Sequence, residues 1–112
     1  MNLETKKDLT SNWFKTLQNA FCDDICKLEK NKFKFKSTSW KRSTSKDEGG
    51  GEYRILQNGQ IFEKVGVNFS KVYGKFPKQF QKKIPGAQKD SRFWASGISV
   101  VMHMKNPLIP AM

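Results

Sequence analysis

One histidine, two cysteines and ten acidic residues are few for a chain of 112, and each shortage narrows what the chain can do. One imidazole and two thiols do not furnish a closed zinc site, which takes four ligands or three and a water, and His103 lies far along the sequence from Cys22 and Cys26. The two cysteines are four apart in a stretch that reads as helix. There they share a face with Cβ vectors badly disposed for a bridge, so they are expected as free thiols. Long apolar runs are absent too: the longest is Val100-Val101-Met102, and the first residues have neither the apolar segment nor the small-residue cleavage site of a secretory signal. The expectation is a cytoplasmic protein with no membrane partner. With 37% hydrophobic residues the chain can enclose one modest core. That excludes a second lobe or a large enclosed cofactor cavity within these residues.

Positive charge and aromatic rings are present in excess. Lys and Arg number 21, the net charge is +11, and aromatics make up 12%, with nine Phe and three Trp. Rings in that number offset chain entropy as disordered sequences do not, so folding is expected over most of the length. From about Asp8 to Leu28, the residues Leu9, Trp13, Leu17, Phe21, Ile25 and Leu28 recur at three- and four-residue steps. That spacing predicts an amphipathic helix with this stripe on the core, capped by Asp8 or Ser11. Lys32 to Lys36 alternates strictly and reads as a one-sided strand, with Phe33 and Phe35 inward and three lysines in water. Ser37 to Gly51 reads as a polar loop whose three final glycines are mobile or admit something close to the backbone. Glu52 and Tyr53 follow them, where a nucleotide-binding loop would have Lys and Ser/Thr opening a helix.

Asn58-Gly59, between Tyr53–Leu56 and Ile61–Val65, predicts a tight two-residue hairpin turn. A further extended run, Val67 to Tyr73, follows Gly66; Pro77 opens a short helix that Pro85-Gly86 ends. The segment Ser96 to Met104 carries the most information. As a strand it places Ile98, Val100, Met102 and Met104 on one face, and Ser99, Val101 and His103 on the other.

These blocks are recognisable together. Gly49-Gly50-Gly51, then Phe62 to Ser70 (FEKVGVNFS), then Gly97 to Pro107 (GISVVMHMKNP) with Pro110 resemble oxygen-dependent coproporphyrinogen III oxidase, in that order and at the right relative positions. Arg92 to Gly97, with Ile84 to Ala87 before it, looks most like the alphaproteobacterial branch. The resemblance implies an α+β fold in which the N-terminal amphipathic helix and antiparallel strands form part of a larger helix-flanked antiparallel sheet. It implies oxidative decarboxylation of two propionates of coproporphyrinogen III to vinyl groups, giving protoporphyrinogen IX, with O2 as oxidant and no organic cofactor. A divalent metal is implied only for some bacterial members, and the working form is a cytoplasmic homodimer. Ser99 matches the family's substrate-contacting serine, and His103 the histidine four residues later that is a candidate metal ligand. Tyr53 departs from the family, many members having Ser after the glycines. The proton-donor histidine of the family would follow Met112. Residues 1–112 are thus expected to be the N-terminal portion of a single domain, truncated before the catalytic histidine and inactive alone. Val67 to Tyr73 and Ser96 to Met104 are then expected to lack strand neighbours.

A second reading comes from the charge alone: a small basic domain binding single-stranded nucleic acid, with the Phe-Lys alternation and an exposed Trp40 beside Lys41 and Arg42 as stacking platform. The charge is spread along both halves without a compact basic block, which disfavours nucleic acid as partner.

Overall fold

Asn2 opens the longest helix. Its side-chain oxygen accepts from the Thr5 N–H at 2.8 Å, which satisfies one of the unpaired amides of the first turn, and α1 runs Leu3–Leu28. The expected end is found, but the start lies earlier than Asp8. Ser11, expected as a cap, sits inside the helix and donates to the carbonyls of Lys7 and Asp8 at 2.9 and 3.3 Å. The computed structural model describes residues 1–112, with β1 (Lys36–Lys41), β2 (Gly49–Gln57), β3 (Phe62–Lys75), α2 (Lys78–Gln81) and β4 (Arg92–Met104) following α1. The four strands form one antiparallel sheet in the order β1-β2-β3-β4. The fold is α+β, as expected. No helix is long and apolar enough to cross a membrane.

The helix meets the sheet on an unexpected face. Of the predicted stripe only Ile25 is fully buried, while Leu9, Trp13 and Leu28 are 54%, 60% and 56% exposed. The buried residues of α1 are Ser11, Gln18, Cys22 and Ile25, followed by Glu29 just past its end. Polar side chains win these positions because the sheet offers them partners. The Gln18 amide donates to the carbonyls of Glu52 and Val67 at 2.9 and 3.2 Å, bonds that no leucine can replace. Cys22, Ile25, Leu56, Phe62, Val65, Val67 and Met102 make up the core.

Four further expectations are corrected. Lys32 to Phe35 is not a strand: Lys30 and Asn31, with φ of 57° and 58°, turn the chain, and β1 begins only at Lys36. Phe33 and Phe35 still pack against the core and the lysines still face water, so the burial holds without the ladder. The loop read over Ser37 to Gly51 shrinks to residues 42–48. The glycines are not a mobile loop but strand, paired with Trp40 and Lys41 on one side and Ser70 to Val72 on the other. A Cβ at Gly50 or Gly51 would strike the carbonyl of Trp40 or Phe69, so it is the neighbouring backbones that approach closely there.

The hairpin exists, but its tip is Gln60-Ile61, two residues beyond Asn58-Gly59. Asn58 N–H donates to Glu63 and Gly59 N–H to Phe62, with Asn58 at φ 59°. The cause is Glu29, whose buried carboxylate accepts from the amides of Gln60, Ile61 and Phe62 and so fixes the bend around itself. Finally, β3 passes through Gly66 unbroken and is central, paired with β2 and β4 along its length. The edge expected at Val67 to Tyr73 is therefore not there. β4 does lie at the edge, where Met102 and Met112 exchange two backbone hydrogen bonds of 2.6 and 2.9 Å.

Candidate functional site

The register decides which side chains share the sheet face that α1 leaves uncovered, because residues directly opposite on antiparallel strands point the same way. One row across the sheet is Ser99 (β4), Asn68 (β3), Tyr53 (β2) and Thr38 (β1). The next row toward the hairpin tip is Val101, Gly66, Ile55 and Lys36, and the next away from it Gly97, Ser70, Gly51 and Trp40. His103 opposes Lys64 nearest the tip. The expected division of β4 is found: Met102 is buried and Ile98, Val100 and Met104 pack toward the core, while Ser99, Val101 and His103 are exposed.

Two residues of this face were not expected at the site: Asn68 was not singled out from the sequence, and Trp40 only as an exposed stacking platform. The Trp40 indole lies across Gly51, and its Nε1–H donates to the side-chain oxygen of Asn68 at 3.0 Å. Only an oxygen can accept from that donor, so the Asn68 oxygen is taken, and its NH2 group makes no hydrogen bond within the molecule at the position opposite Ser99. Period-2 alternation in Val67 to Tyr73 puts Asn68 opposite in face to Val67 and Phe69, a signal that was available. Nothing local announced that Trp40 lies in a strand, because that strand is recognisable only by its pairing with the glycines. Held in this bond and half-buried, Trp40 is not the free stacking platform of the nucleic-acid reading.

Cations stand at both ends of the face. Arg42 reaches over Gly74, donates to the Tyr73 carbonyl at 3.1 Å and sits 4.9 Å from the centre of the Phe93 ring. Lys36 and Lys64 stand toward the other end. Beside the glycines, Tyr73 donates a short hydrogen bond to Asp47 that holds this carboxyl below its usual range, and Asp47 in turn holds the tyrosine hydroxyl above its own. On the covered face burial pushes the Cys22 thiol up, opposed by the neighbouring Arg54, and the Arg54 hydrogen bond keeps Glu52 low. Both cysteines are free.

His103 stands apart from other metal-binding side chains. No three His, Cys, Asp or Glu residues cluster, and a lysine faces the imidazole across the strands. These residues by themselves do not fit a metal ion, and no chemical step is assigned to one here. The largest recess, about 840 Å³ between the start of α1 and the ends of β3 and β4, is lined by Lys7, Tyr73, Arg92 and Trp94 and includes neither Ser99 nor Asn68. None of the three main recesses is lined by Ser99 or Asn68.

Comparison with known proteins follows the same residues. The profile of the coproporphyrinogen III oxidase family matches residues 9–112. Over 120 aligned residues the chain is 45% identical to the oxygen-dependent coproporphyrinogen-III oxidase of Rickettsia akari (strain Hartford) and 46% identical to those of Rickettsia typhi (strain Wilmington) and Rickettsia prowazekii (strain Madrid E). Each alignment takes in 100% of this chain and 41% of the relative, so the chain spans about two fifths of the length of the curated relatives it matches.

Proposed function

The chain belongs to the coproporphyrinogen III oxidase family, and from that premise we propose that its uncovered sheet face is part of the site where such an enzyme holds coproporphyrinogen III. There two propionates lose CO2 and become vinyl groups, with O2 as the oxidant and without an organic cofactor. The observation that carries the reading is Ser99: it stands on the exposed face, opposite Asn68, with the greasy half of β4 packed behind it. A hydroxyl and an amide side by side offer a propionate two donors, and the cations at the ends of the face suit a tetracarboxylate. His103, one pleat beyond Val101 on the same face, is proposed to orient the reacting end of the substrate. Proton transfer is not assigned to these residues, because the family's donor histidine matches no position up to Met112.

The reading extends to the whole enzyme: a cytoplasmic homodimer, with the β4 edge as the side on which a larger sheet continues. The paired backbone groups of Met102 and Met112 support this, since they already set an antiparallel register there. The nucleic-acid reading has no observation in its favour.

The test is steady-state kinetics in a full-length family enzyme bearing these residues. Ser99→Ala is expected to lower kcat/KM by about tenfold, the effect of losing one hydrogen bond to a charged group. Circular dichroism and melting temperature should stay as in the parent, because the side chain is exposed. Unchanged kinetics would sink the assignment.

A further inference from the structure

Counted by halves of the chain the cations are evenly spread; counted by structural element they are not. From the end of β3 to the start of β4, residues 75–92 hold Lys75, Lys78, Lys82, Lys83, Lys89 and Arg92 against the single acid Asp90. Six cations and one acid put +5 of the total +11 into this segment. Asp90 is taken by Arg92 at 2.8 Å, and none of the five lysines belongs to an ion pair, although all are exposed. Like charges gathered so closely repel one another unless an opposite charge meets them from outside. The segment is nonetheless ordered. Phe76 N–H donates to the Ser91 carbonyl at 2.8 Å, and its ring stacks on Phe93 with centroids 4.8 Å apart, which closes the base. The Gln81 amide donates to the Phe76 carbonyl at 2.9 Å, and Ala87 is buried. Phe80, in α2, is 44% exposed. The amides of Lys83 and Ile84 both donate to its carbonyl, at 3.0 and 3.2 Å, so the turn sets a lysine beside an open ring.

We infer that residues 75–92 are a docking surface for an anionic phospholipid bilayer, with the lysines among the headgroups and Phe80 dipping into their boundary with the acyl chains. Since no helix is long and apolar enough to cross a membrane, the contact is peripheral, and it replaces the expectation that no membrane is a partner. Three observations select lipid over an acidic protein or a nucleic acid. All five unpaired cations are lysines, compact point charges that suit a diffuse negative field and lack the fork with which arginine grips one carboxylate or phosphate. Phe80 stacks on no other ring; one open ring among lysines suits a headgroup boundary, whereas successive bases need successive platforms. The segment continues past Lys75 and Arg92, the last paired residues of β3 and β4, so an extended plane can meet it end-on. The inference does not depend on the proposed function.

The experiment is co-sedimentation of the 112-residue chain with vesicles of phosphatidylcholine containing about 30 mol% phosphatidylglycerol, beside vesicles of phosphatidylcholine alone. Binding is expected to the anionic vesicles only, falling at least about tenfold between ~0.1 M and ~0.5 M salt. One basic side chain near an anionic surface is worth about fivefold in binding, so the triple variant Lys78→Gln, Lys82→Gln, Lys83→Gln should bind on the order of a hundredfold more weakly. The same loss of charge at the hairpin end, Lys30→Gln, Lys32→Gln, Lys34→Gln, should leave binding within about threefold of the parent. Phe80→Ser should weaken it about fivefold. All these side chains are exposed, so melting temperatures should stay as in the parent. Equal weakening by the two triple variants would assign the binding to net charge and overturn the inference. Vesicle binding that neither the Lys78, Lys82, Lys83 variant nor Phe80→Ser changes would overturn it too, as would no binding to anionic vesicles. Polyglutamate or oligothymidylate bound more tightly than the vesicles, and lost in the same triple variant, would assign the surface to an acidic protein or a nucleic acid instead.

Discussion

The Glu29 carboxylate is 1% exposed and forms no ion pair, yet it ties three parts of the molecule together. One oxygen accepts from Gln60 N–H at 2.6 Å, and the other from Ile61 and Phe62 N–H at 2.6 and 3.2 Å. The Ile61 carbonyl accepts in turn from Lys105 N–H at 2.9 Å, just past β4. The end of α1, the β2–β3 tip and the end of β4 therefore meet at this side chain. Glu29→Gln keeps the shape, but its NH2 must confront an amide donor, so one charge-assisted bond is lost and a buried N–H is left unpaired. A bond of that kind contributes about 1.5–3 kcal/mol, which puts the cost near 2 kcal/mol. Glu29→Ala strips all three bonds; water entering the emptied site offsets part, and about 4 kcal/mol is expected. Urea unfolding followed by circular dichroism measures both. At a slope of about 1.5 kcal/mol per molar, Glu29→Gln should lower the midpoint by somewhat more than ~1 M without changing the slope. A shift below ~0.3 M for either variant would refute the claim that this carboxylate sets the hairpin.

The face of α1 is tested by contrast: Ile25→Ala should cost about 2–4 kcal/mol as a buried truncation, whereas Trp13→Ala should stay within about 0.5 kcal/mol despite removing the larger side chain, and the reverse order would restore the leucine-tryptophan stripe as the buried one. The Arg92 guanidinium beside Asp90 holds that carboxyl at about 2, below its usual 3.8. Its pairing is therefore complete above pH 3.8 and lost as pH falls toward 2, and a ¹³C titration should find the Asp90 midpoint near 2, rising in Arg92→Ala but stopping short of the usual value because the backbone N–H of residue 92 still donates to the carboxylate. Both side chains are exposed, so global stability should scarcely register the change.

What the sequence revealed and what it hid divide along one line, local against non-local. β4 was legible because its alternation is strict, and period 2 alone separates Met102 and Val100 from Ser99 and His103. The existence of the hairpin was legible for a similar reason, since the flanking strands advertise themselves. Its exact bend was not, because the deciding group is a carboxylate some thirty positions earlier. The helix stripe misled because periodicity counts apolar residues and cannot see the carbonyls of Glu52 and Val67 that reward a buried glutamine. β1, with its KSTSWK sequence, has no pattern that favours a strand; it becomes one by pairing with β2. Half of the candidate site went the same way. Ser99 was found within its own strand, while the bond between Trp40 and Asn68 spans three strands.

The two faces of this sheet obey different rules, and the difference bears on function more than any single residue does. On the covered face Val65, Val67, Leu56 and Met102 leave no space, so a substitution there is read by the fold. On the open face the Trp40–Asn68 bond and the Arg42 contacts at the rim are the fixed features, and between them the strands carry Gly66 and Gly97 where packing demands nothing. A strand gives up conformational stability at each of those glycines and gains no internal contact for it. A substitution on the open face, Ser99→Ala for instance, is therefore expected to leave the fold as it is, whereas one at Val65 or Leu56 is expected to lower stability first.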